Sequence, residues 1–234
     1  AYSYLYDITE IYAQREQFDS AVIYNFKILD LGRKMHDKGI ELTAYARLID
    51  IYEKTKNTKE LLGAINKALI IANETNNSEA QAYLYRLIGD LFYKQKKNYE
   101  IALIYYKKVI DIPESKNSCT QSLVLSFIGN LYLEMGNDSL AEIYALQGLK
   151  RSHELNLRHH ISEAYNALGR IYKHQGRLQK AIDNFTFGYN SGCDECTKIA
   201  FHSSLIDIAD SYLKLNNREK ALEYLRFAVG VSSY

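Results

Sequence analysis

The chain has 234 residues, of which 47% are apolar and 24% are charged, as is usual for a soluble globular protein. Its formal net charge of +1 excludes a global field that would attract nucleic acid or an anionic membrane surface. Three cysteines are too few for a disulfide framework, and no apolar run approaches the roughly 18 residues needed to span a bilayer.

The chain opens AYSYLYDITEIYAQ, without an initiator Met and without the pattern of a signal peptide. We therefore expect a fragment or a processed form, and the compartment stays open. The cytoplasm and a periplasmic part of a membrane-anchored regulator are the two alternatives.

Proline is almost absent, since Pro113 is the only one in the sequence. Proline breaks helix interiors, whereas folds rich in strands and loops normally use several prolines at turns. Leu, Ile, Ala, Lys and Glu are abundant, and these residues favour helices. The composition therefore predicts an all-α chain.

An aromatic residue recurs every 40 residues along the whole chain. A large side chain precedes it by seven residues, and Leu or Ile precedes it by four. A third position, three residues before the aromatic, is often glycine. These offsets describe one face of a helix, the first helix of each repeat. The aromatic residues are Tyr12, Tyr52, Phe92, Tyr132, Tyr172 and Tyr212, and the glycines are Gly89, Gly129 and Gly169.

A small residue nine positions after the aromatic predicts the start of a second helix. It is Ala21, Ala141, Ala181 or Ala221; Leu61 replaces it in the second repeat, and Ala102 is displaced by one residue in the third. Short polar turns, such as MGND at 135–138 and HQGR at 174–177, separate the two helices. Gly or Asn in these turns would supply the left-handed residue that ends the first helix.

The pattern predicts a single domain, residues 1–234, made of six helix pairs. Their approximate bounds are 1–37, 38–77, 78–117, 118–157, 158–196 and 197–234. A small residue in each helix lets the two helices approach closely. Because no pair can bury its apolar face alone, neighbouring pairs should stack into one continuous core.

The pattern large-x2-Leu-Gly-x2-Tyr followed by Ala-x3-aromatic resembles the tetratricopeptide repeat. It matches best at Tyr165, Leu168, Gly169, Tyr172, Ala181 and Phe185. The repeat length of 40 exceeds the usual length of about 34. We attribute the surplus to an extra helical turn plus a longer turn between repeats. This long form resembles the repeats of bacterial sensory and regulatory proteins. The resemblance implies a right-handed superhelical solenoid of antiparallel helix pairs.

In proteins of that family, the inner groove is lined by the first helices and holds a partner peptide or helix. The register predicts that this groove receives Arg86, Tyr93, Asn130, Leu133, Asn166, Arg170 and Lys173. Asn can hydrogen-bond an extended peptide, and Arg and Lys can hold a carboxylate. Alternatively, these are solvated polar side chains on an exposed face.

The resemblance therefore implies a protein- or peptide-binding scaffold, the interaction segment of a larger bacterial regulator. The alternative is a structural module that self-associates through its terminal helices, including a homodimer through the last one. We expect a protein or peptide partner, no direct nucleic-acid binding by this segment and no cofactor.

The sequence shows no catalytic signature, so we expect no enzymatic activity. Cys193 and Cys196 form a CxxC pair. Three interpretations of this pair stay open: incidental turn residues, a local disulfide or paired thiols, and a metal site.

Overall fold

The computed structural model describes residues 2–94, 98–113, 119–191 and 202–231. These residues form helices separated by short turns, and no strand occurs among them. In chain order, the helices are α1 (Tyr2–Gln14), α2 (Phe18–Met35), α3 (Lys38–Lys54), α4 (Thr58–Glu74), α5 (Ser78–Lys94), α6 (Tyr99–Asp111), α7 (Cys119–Glu134), α8 (Asp138–Glu154), α9 (Arg158–His174), α10 (Leu178–Ser191), α11 (His202–Lys214) and α12 (Arg218–Val231). The predicted all-α class is confirmed.

The chain divides into two compact units, residues 1–88 and 89–234, and the boundary lies inside α5. In the first unit, α1 to α4 pack in sequence, each helix against the next. In the second unit, α6 to α12 do the same, and α9 also contacts α7 and α11. The six repeat boundaries and the single domain remain predictions.

The 40-residue period is long because the helices are long. In the second repeat, α3 and α4 have 17 residues each, and the turns 55–57 and 75–77 complete the period. The turn 155–157 is equally short. The prediction of a longer turn between repeats is therefore wrong at these two places, because the extra residues extend the helices.

Left-handed residues end the first helices, as the turn sequences predict. Gly136 and Gly176 have φ values of 75° and 72°, and Asn216 has φ 58°. Two further turns place Glu16 and Lys56 in the same conformation, at φ 57° and 55°. Their sequences gave no sign of it, since these side chains rarely adopt a left-handed conformation.

Asparagines cap several of the second helices. The Oδ1 atoms of Asn57, Asn98 and Asn137 accept hydrogen bonds from the backbone N–H three residues later. Each cap satisfies one backbone donor that the helix start leaves without an intrahelical partner. The turn and the cap together fix where the second helix begins.

The signature glycines lie where the two helices of a repeat touch. A Cβ at Gly169 would lie 2.6 Å from the Phe185 ring, and one at Gly89 would lie 2.4 Å from the Tyr106 ring. A Cβ at Gly129 would lie 3.0 Å from the carbonyl oxygen of Ala141. The predicted close approach of the helices at these positions is confirmed.

The signature aromatics stack on tyrosines of the second helix. Tyr132 stacks on Tyr144 with ring centroids 5.4 Å apart. The same arrangement joins Tyr12 to Tyr24, Phe92 to Tyr105 and Tyr212 to Tyr224. These pairs account for part of the 21 tyrosines in the sequence, a number that the core signature alone does not explain.

None of the helices in the part of the chain described above combines the length and the apolar character that crossing a membrane requires.

Candidate partner-binding surface

Side chains of α7, α9 and α11, most of them polar, lie side by side in the second unit. We call them the polar surface, and it consists of Asn130, Leu133, Arg170, Lys173, Asp207 and Asp210. Because α9 packs against both α7 and α11, residues 40 apart in the sequence become neighbours. One equivalent position of the repeat carries Asn130 on α7, Arg170 on α9 and Asp210 on α11. The chemistry at this position therefore differs from helix to helix.

Arg170 is the central cation of the polar surface. Its Nε donates to Oδ1 of Asn130 at 3.1 Å, which fixes the plane of the guanidinium. Among the described residues, the two Nη atoms of Arg170 have no hydrogen-bonding partner. The guanidinium is half-buried, and its free donors could bind a carboxylate through two parallel hydrogen bonds.

Tyr93 borders Arg170 on one side. Burial raises the pKa of the Tyr93 hydroxyl, and the nearby Glu134 carboxylate raises it further, while the positive charge of Arg170 opposes both. The Tyr93 ring also contacts Tyr99 at 5.9 Å between centroids, and the Tyr99 hydroxyl donates to Glu134 at 3.5 Å. The Tyr93 ring therefore lies next to the cation, and Tyr99 packs against that ring.

Lys173 differs from Arg170 because its charge is already paired. Its Nζ lies 2.7 Å from both Oδ1 of Asp207 and Oδ2 of Asp210. Burial alone would lower the pKa of Lys173, but the hydrogen bonds with the two carboxylates outweigh burial and raise it. Lys173 thus links α9 to α11, whereas no carboxylate pairs with Arg170 among the described residues.

Leu133 is half-exposed, one helical turn along α7 from Asn130. It adds an apolar contact beside the polar groups. The structure therefore brings Tyr93, Asn130, Leu133, Arg170 and Lys173 into the same region of the second unit.

Asn166 lies elsewhere, although the sequence prediction grouped it with Arg170. Its side chain is only 2% exposed, and its Oδ1 accepts a hydrogen bond from the Ser204 hydroxyl at 3.0 Å. Gly188 leaves room for it, since a Cβ there would lie 2.5 Å from Oδ1. Asn166 joins α9, α10 and α11 in the core and offers nothing to a partner.

Arg86 belongs to the first unit, where its guanidinium lies over the Tyr83 ring at 5.1 Å from the centroid. It is therefore considered apart from the polar surface. Its predicted role in binding remains a prediction.

The first unit has its own charged cluster, centred on Arg47. Its Nε donates to the Tyr6 hydroxyl at 2.8 Å, and its Nη1 lies 2.6 Å from Oε2 of Glu10. A cavity of about 270 Å³ opens beside these groups and is also lined by Asp50. Burial raises the pKa of Asp50, although Arg47 opposes this effect.

The sequence prediction missed Arg47. It used the position after the glycine site, the position three before it and a position one helical turn further along. Arg47 and Asp207 share another position, two before the glycine site, and including that position would have found Arg47.

A serine–histidine contact in the second unit escaped the sequence reasoning. The Ser122 Oγ lies 2.7 Å from Nδ1 of His160 and donates to the carbonyl of Cys119. Ser122 is completely buried, so a substrate has no access to its hydroxyl. The contact joins α7 to α9 and has the character of a packing interaction.

Cys193 and Cys196 lie outside the described residues. Among the residues that are described, no group of three or more His, Cys, Asp or Glu side chains could hold a metal ion.

A family model described as "Tetratricopeptide repeat" matches residues 82–116, 162–186 and 202–233. The chain therefore contains tetratricopeptide repeats. The matched stretches fall in the third, fifth and sixth predicted repeats. No curated protein matches the sequence.

Solved structures with the same fold include BtubC from P. vanneervenii, with a TM-score of 0.78 at 15% identity, covering 92% of this chain and 91% of that one. A signal transduction ATPase with a tetratricopeptide repeat sensor from Pyrococcus horikoshii has a TM-score of 0.69 at 20% identity. That match covers 97% of this chain but 35% of the ATPase. A Rap protein complexed with competence and sporulation factor has a TM-score of 0.66 at 18% identity, covering 99% of this chain and 64% of that one.

At these identities the likeness shows the fold, that of tetratricopeptide-like helical solenoids. This chain spans about a third of the ATPase and less than two thirds of the Rap protein.

Proposed function

We propose that this chain is a protein-interaction scaffold that binds a partner segment on the polar surface of α7, α9 and α11. The observation that carries the proposal is the Arg170 guanidinium. Asn130 holds it through Nε alone among the described residues, so the two Nη groups keep their donors for a carboxylate. A guanidinium held in this way loses little conformational freedom when it binds a carboxylate.

The surroundings of Arg170 support a proposal for the chemistry of the partner. The Tyr93 and Tyr99 rings and Leu133 offer apolar contact beside the cation. On the other side, the two carboxylates of Asp207 and Asp210 are balanced by Lys173 and Lys214. We infer a segment that carries one carboxylate, from Asp, Glu or a chain terminus, next to an apolar or aromatic side chain.

We further propose that the chain is the sensory or regulatory interaction segment of a larger bacterial protein. Support comes from the neighbours, one of which has a tetratricopeptide repeat sensor and another of which is complexed with competence and sporulation factor. A regulatory role requires that partner binding alter the helices around the polar surface. The Lys173 link between α9 and α11 is the contact through which binding at Arg170 would reach α11.

Selection of peptides on the immobilised chain from a random library tests the binding proposal. The affinity of a selected peptide is then measured by fluorescence anisotropy. We expect Arg170→Ala to weaken binding about tenfold or more, because hydrogen bonds to charged groups contribute about 1.5–3 kcal/mol. Lys150→Ala is the control, since Lys150 is an exposed residue of α8. Equal affinities of Arg170→Ala and the wild type, both folded by circular dichroism, would contradict the proposal.

Hydrogen exchange of the chain with and without that peptide tests the regulatory part. We expect slower exchange in α11 as well as in α9 when the peptide binds, and Lys173→Met should confine the effect to α9. Protection that never extends beyond the contacted residues would leave a passive scaffold and overturn the regulatory role.

A further inference from the structure

The cavity of about 270 Å³ in the first unit is lined by residues of α1 and α3. Thr9 and Ile51 are among them, and these side chains are only 3% and 4% exposed. The third helix-facing residue is Ala13 of α1. The five other first helices carry larger side chains at the position of Ala13, namely Glu53, Tyr93, Leu133, Lys173 and Leu213. The cavity is therefore open because Ala13 is small.

Arg47 lines the cavity, but its positive charge is already paired with α1. Its Nη1 lies 2.6 Å from Oε2 of Glu10, and its Nε donates to the Tyr6 hydroxyl at 2.8 Å. The guanidinium also lies over the Tyr6 ring, 4.5 Å from the centroid. Arg47 and Glu10 therefore balance each other, and the guanidinium is fixed to α1 and not to the carboxylates of its own helix.

Asp50 is an exposed residue of the cavity, and its carboxylate has no such partner. Among the described residues, it forms no ion pair and accepts no hydrogen bond. Burial by the surrounding protein atoms raises the pKa of Asp50, and Arg47 opposes this effect. The carboxylates of Glu53 and Glu10 raise the pKa further, and the ammonium group of Lys54 lowers it. A cation at Asp50 would replace the water that this carboxylate has partly lost.

The charges that line the cavity do not cancel. There are three carboxylates and two cations, so one negative charge is left uncompensated; the residues are Glu10, Asp50, Glu53, Arg47 and Lys54. In the part of the chain that the structure describes, these carboxylates form no group that could hold a metal ion. The complementary ligand is therefore an organic cation.

We propose that the cavity between α1 and α3 binds the basic side chain, lysine or arginine, of a partner segment. The ammonium or guanidinium group lies on Asp50, and the alkyl stem lies against Ile51 and Ala13. The size of the cavity agrees with this occupant, because pockets for whole small-molecule ligands have volumes of about 300–1,000 Å³. A cavity slightly below that range suits one long side chain.

The cavity and the polar surface have opposite preferences. Asp50 of α3 is equivalent in the repeat to Arg170 of α9, so one position of the repeat carries a carboxylate in the first unit and a guanidinium in the second. Every residue of the cavity belongs to the first unit. The inference therefore does not rest on binding at Arg170.

Nuclear magnetic resonance titration with single-residue probes tests the proposal. The probes are the Nα-acetyl methylamides of lysine and arginine, added at constant ionic strength up to about 50 mM, a range suited to weak binding. We expect saturable shifts at residues of α1 and α3. The norleucine derivative has a similar stem without the charge, and it should bind about tenfold more weakly or less.

Two variants separate the charge of the cavity from its space. Asp50→Asn removes the charge and keeps the shape, and it should weaken binding of the lysine probe about tenfold or more. Ala13→Leu fills the cavity and leaves all its charges in place, so it should abolish binding. Leucine suits this position, as Leu133 and Leu213 show. The control is Asp30→Asn, since Asp30 is an exposed carboxylate of α2 that does not line the cavity.

Asp30→Asn and Arg170→Ala should bind the lysine probe as the wild type does. The absence of saturable shifts in the wild type would overturn the proposal. So would an affinity that Asp50→Asn or Ala13→Leu leaves unchanged, with each variant folded by circular dichroism. Equal binding of the norleucine and lysine derivatives would also overturn it, since the negative charge would then have no part in recognition.

Discussion

The Phe185 ring lies against the backbone of Gly169, so close that a Cβ at residue 169 would come within 2.6 Å of it. Gly89 and the Tyr106 ring form the equivalent contact in the third repeat. In both repeats, the glycine in the first helix accommodates a large ring in the second helix. The ring supplies the volume that the missing side chain leaves open.

Gly169→Ala should destabilise the protein. The Phe185 ring or the backbone must move, and overpacking of this kind costs about 1–3 kcal/mol. Gly63→Ala is the matched control, because Gly63 is also helical and a Cβ there would meet nothing within 4 Å. The control should be stabilised by up to about 1 kcal/mol through helix propensity. Urea unfolding measures both, and a neutral Gly169→Ala would contradict the expectation.

The stack of Tyr132 on Tyr144 should contribute beyond the area that it buries. A double-mutant cycle with Tyr132→Leu and Tyr144→Leu should give a coupling energy of about 0.5–1.5 kcal/mol in the free energy of unfolding. The fifth repeat provides the comparison, since Asn184 stands at the position equivalent to Tyr144. A cycle on Tyr172 and Asn184 should show smaller coupling, and equal coupling in both repeats would argue against a role for ring stacking.

The ion pairs of Lys173 should make stability depend on pH at both extremes. The Lys173 hydrogen bond lowers the pKa of Asp210. A lowered folded-state pKa stabilises the protein above the unfolded value of about 3.9, and this stabilisation is lost as the pH falls through the folded pKa. The raised pKa of Lys173 acts in the opposite sense. Its contribution is complete below about 10.4 and is lost as the pH rises through the folded value.

Lys173→Met should therefore raise the pKa of Asp210 in an NMR titration of its carboxyl carbon. Part of the lowering should remain, because Lys214 also lies 3.4 Å from Asp210. Lys150→Met, remote from this carboxylate, should leave the titration unchanged. An Asp210 pKa that does not respond to Lys173→Met would show that the ion pair is absent in solution.

The left-handed turn position between paired helices allows glycine to be removed in one repeat and introduced in another. Gly176→Ala should destabilise by about 1 kcal/mol, because left-handed backbone costs an L-residue about 1–2 kcal/mol. Lys56→Gly should stabilise by up to about 1 kcal/mol, since glycine removes that cost but has more freedom in the unfolded chain. Thermal unfolding followed by circular dichroism measures both changes. Shifts of the same sign would contradict the assignment of residues 56 and 176 to equivalent positions.

The sequence predicts the fold well because the fold depends on a repeated period. Residues equivalent to Tyr132, Gly129 and Ala141 recur every 40 residues. A pattern repeated in this way along the chain does not arise by chance. The candidate site is predicted less well. The repeat register assigns a residue to one face of its helix but does not identify the side chains of other helices that it contacts. Asn166 faces Gly188 and Ser204, and only the packing of three helices reveals this. The pairing of Lys173 with two carboxylates depends on side-chain rotamers that a spacing does not specify.

Within each 40-residue repeat, the positions that pack the helices together differ from the positions that lie on the polar surface. Asn130, Arg170 and Asp210 occupy one equivalent position on successive first helices, outside the core formed by the glycines and aromatic residues. Exchanging such a residue changes the charge offered at that point and leaves the close helix contacts intact. The charge on this surface can therefore be altered one repeat at a time without changing the packing between the helices.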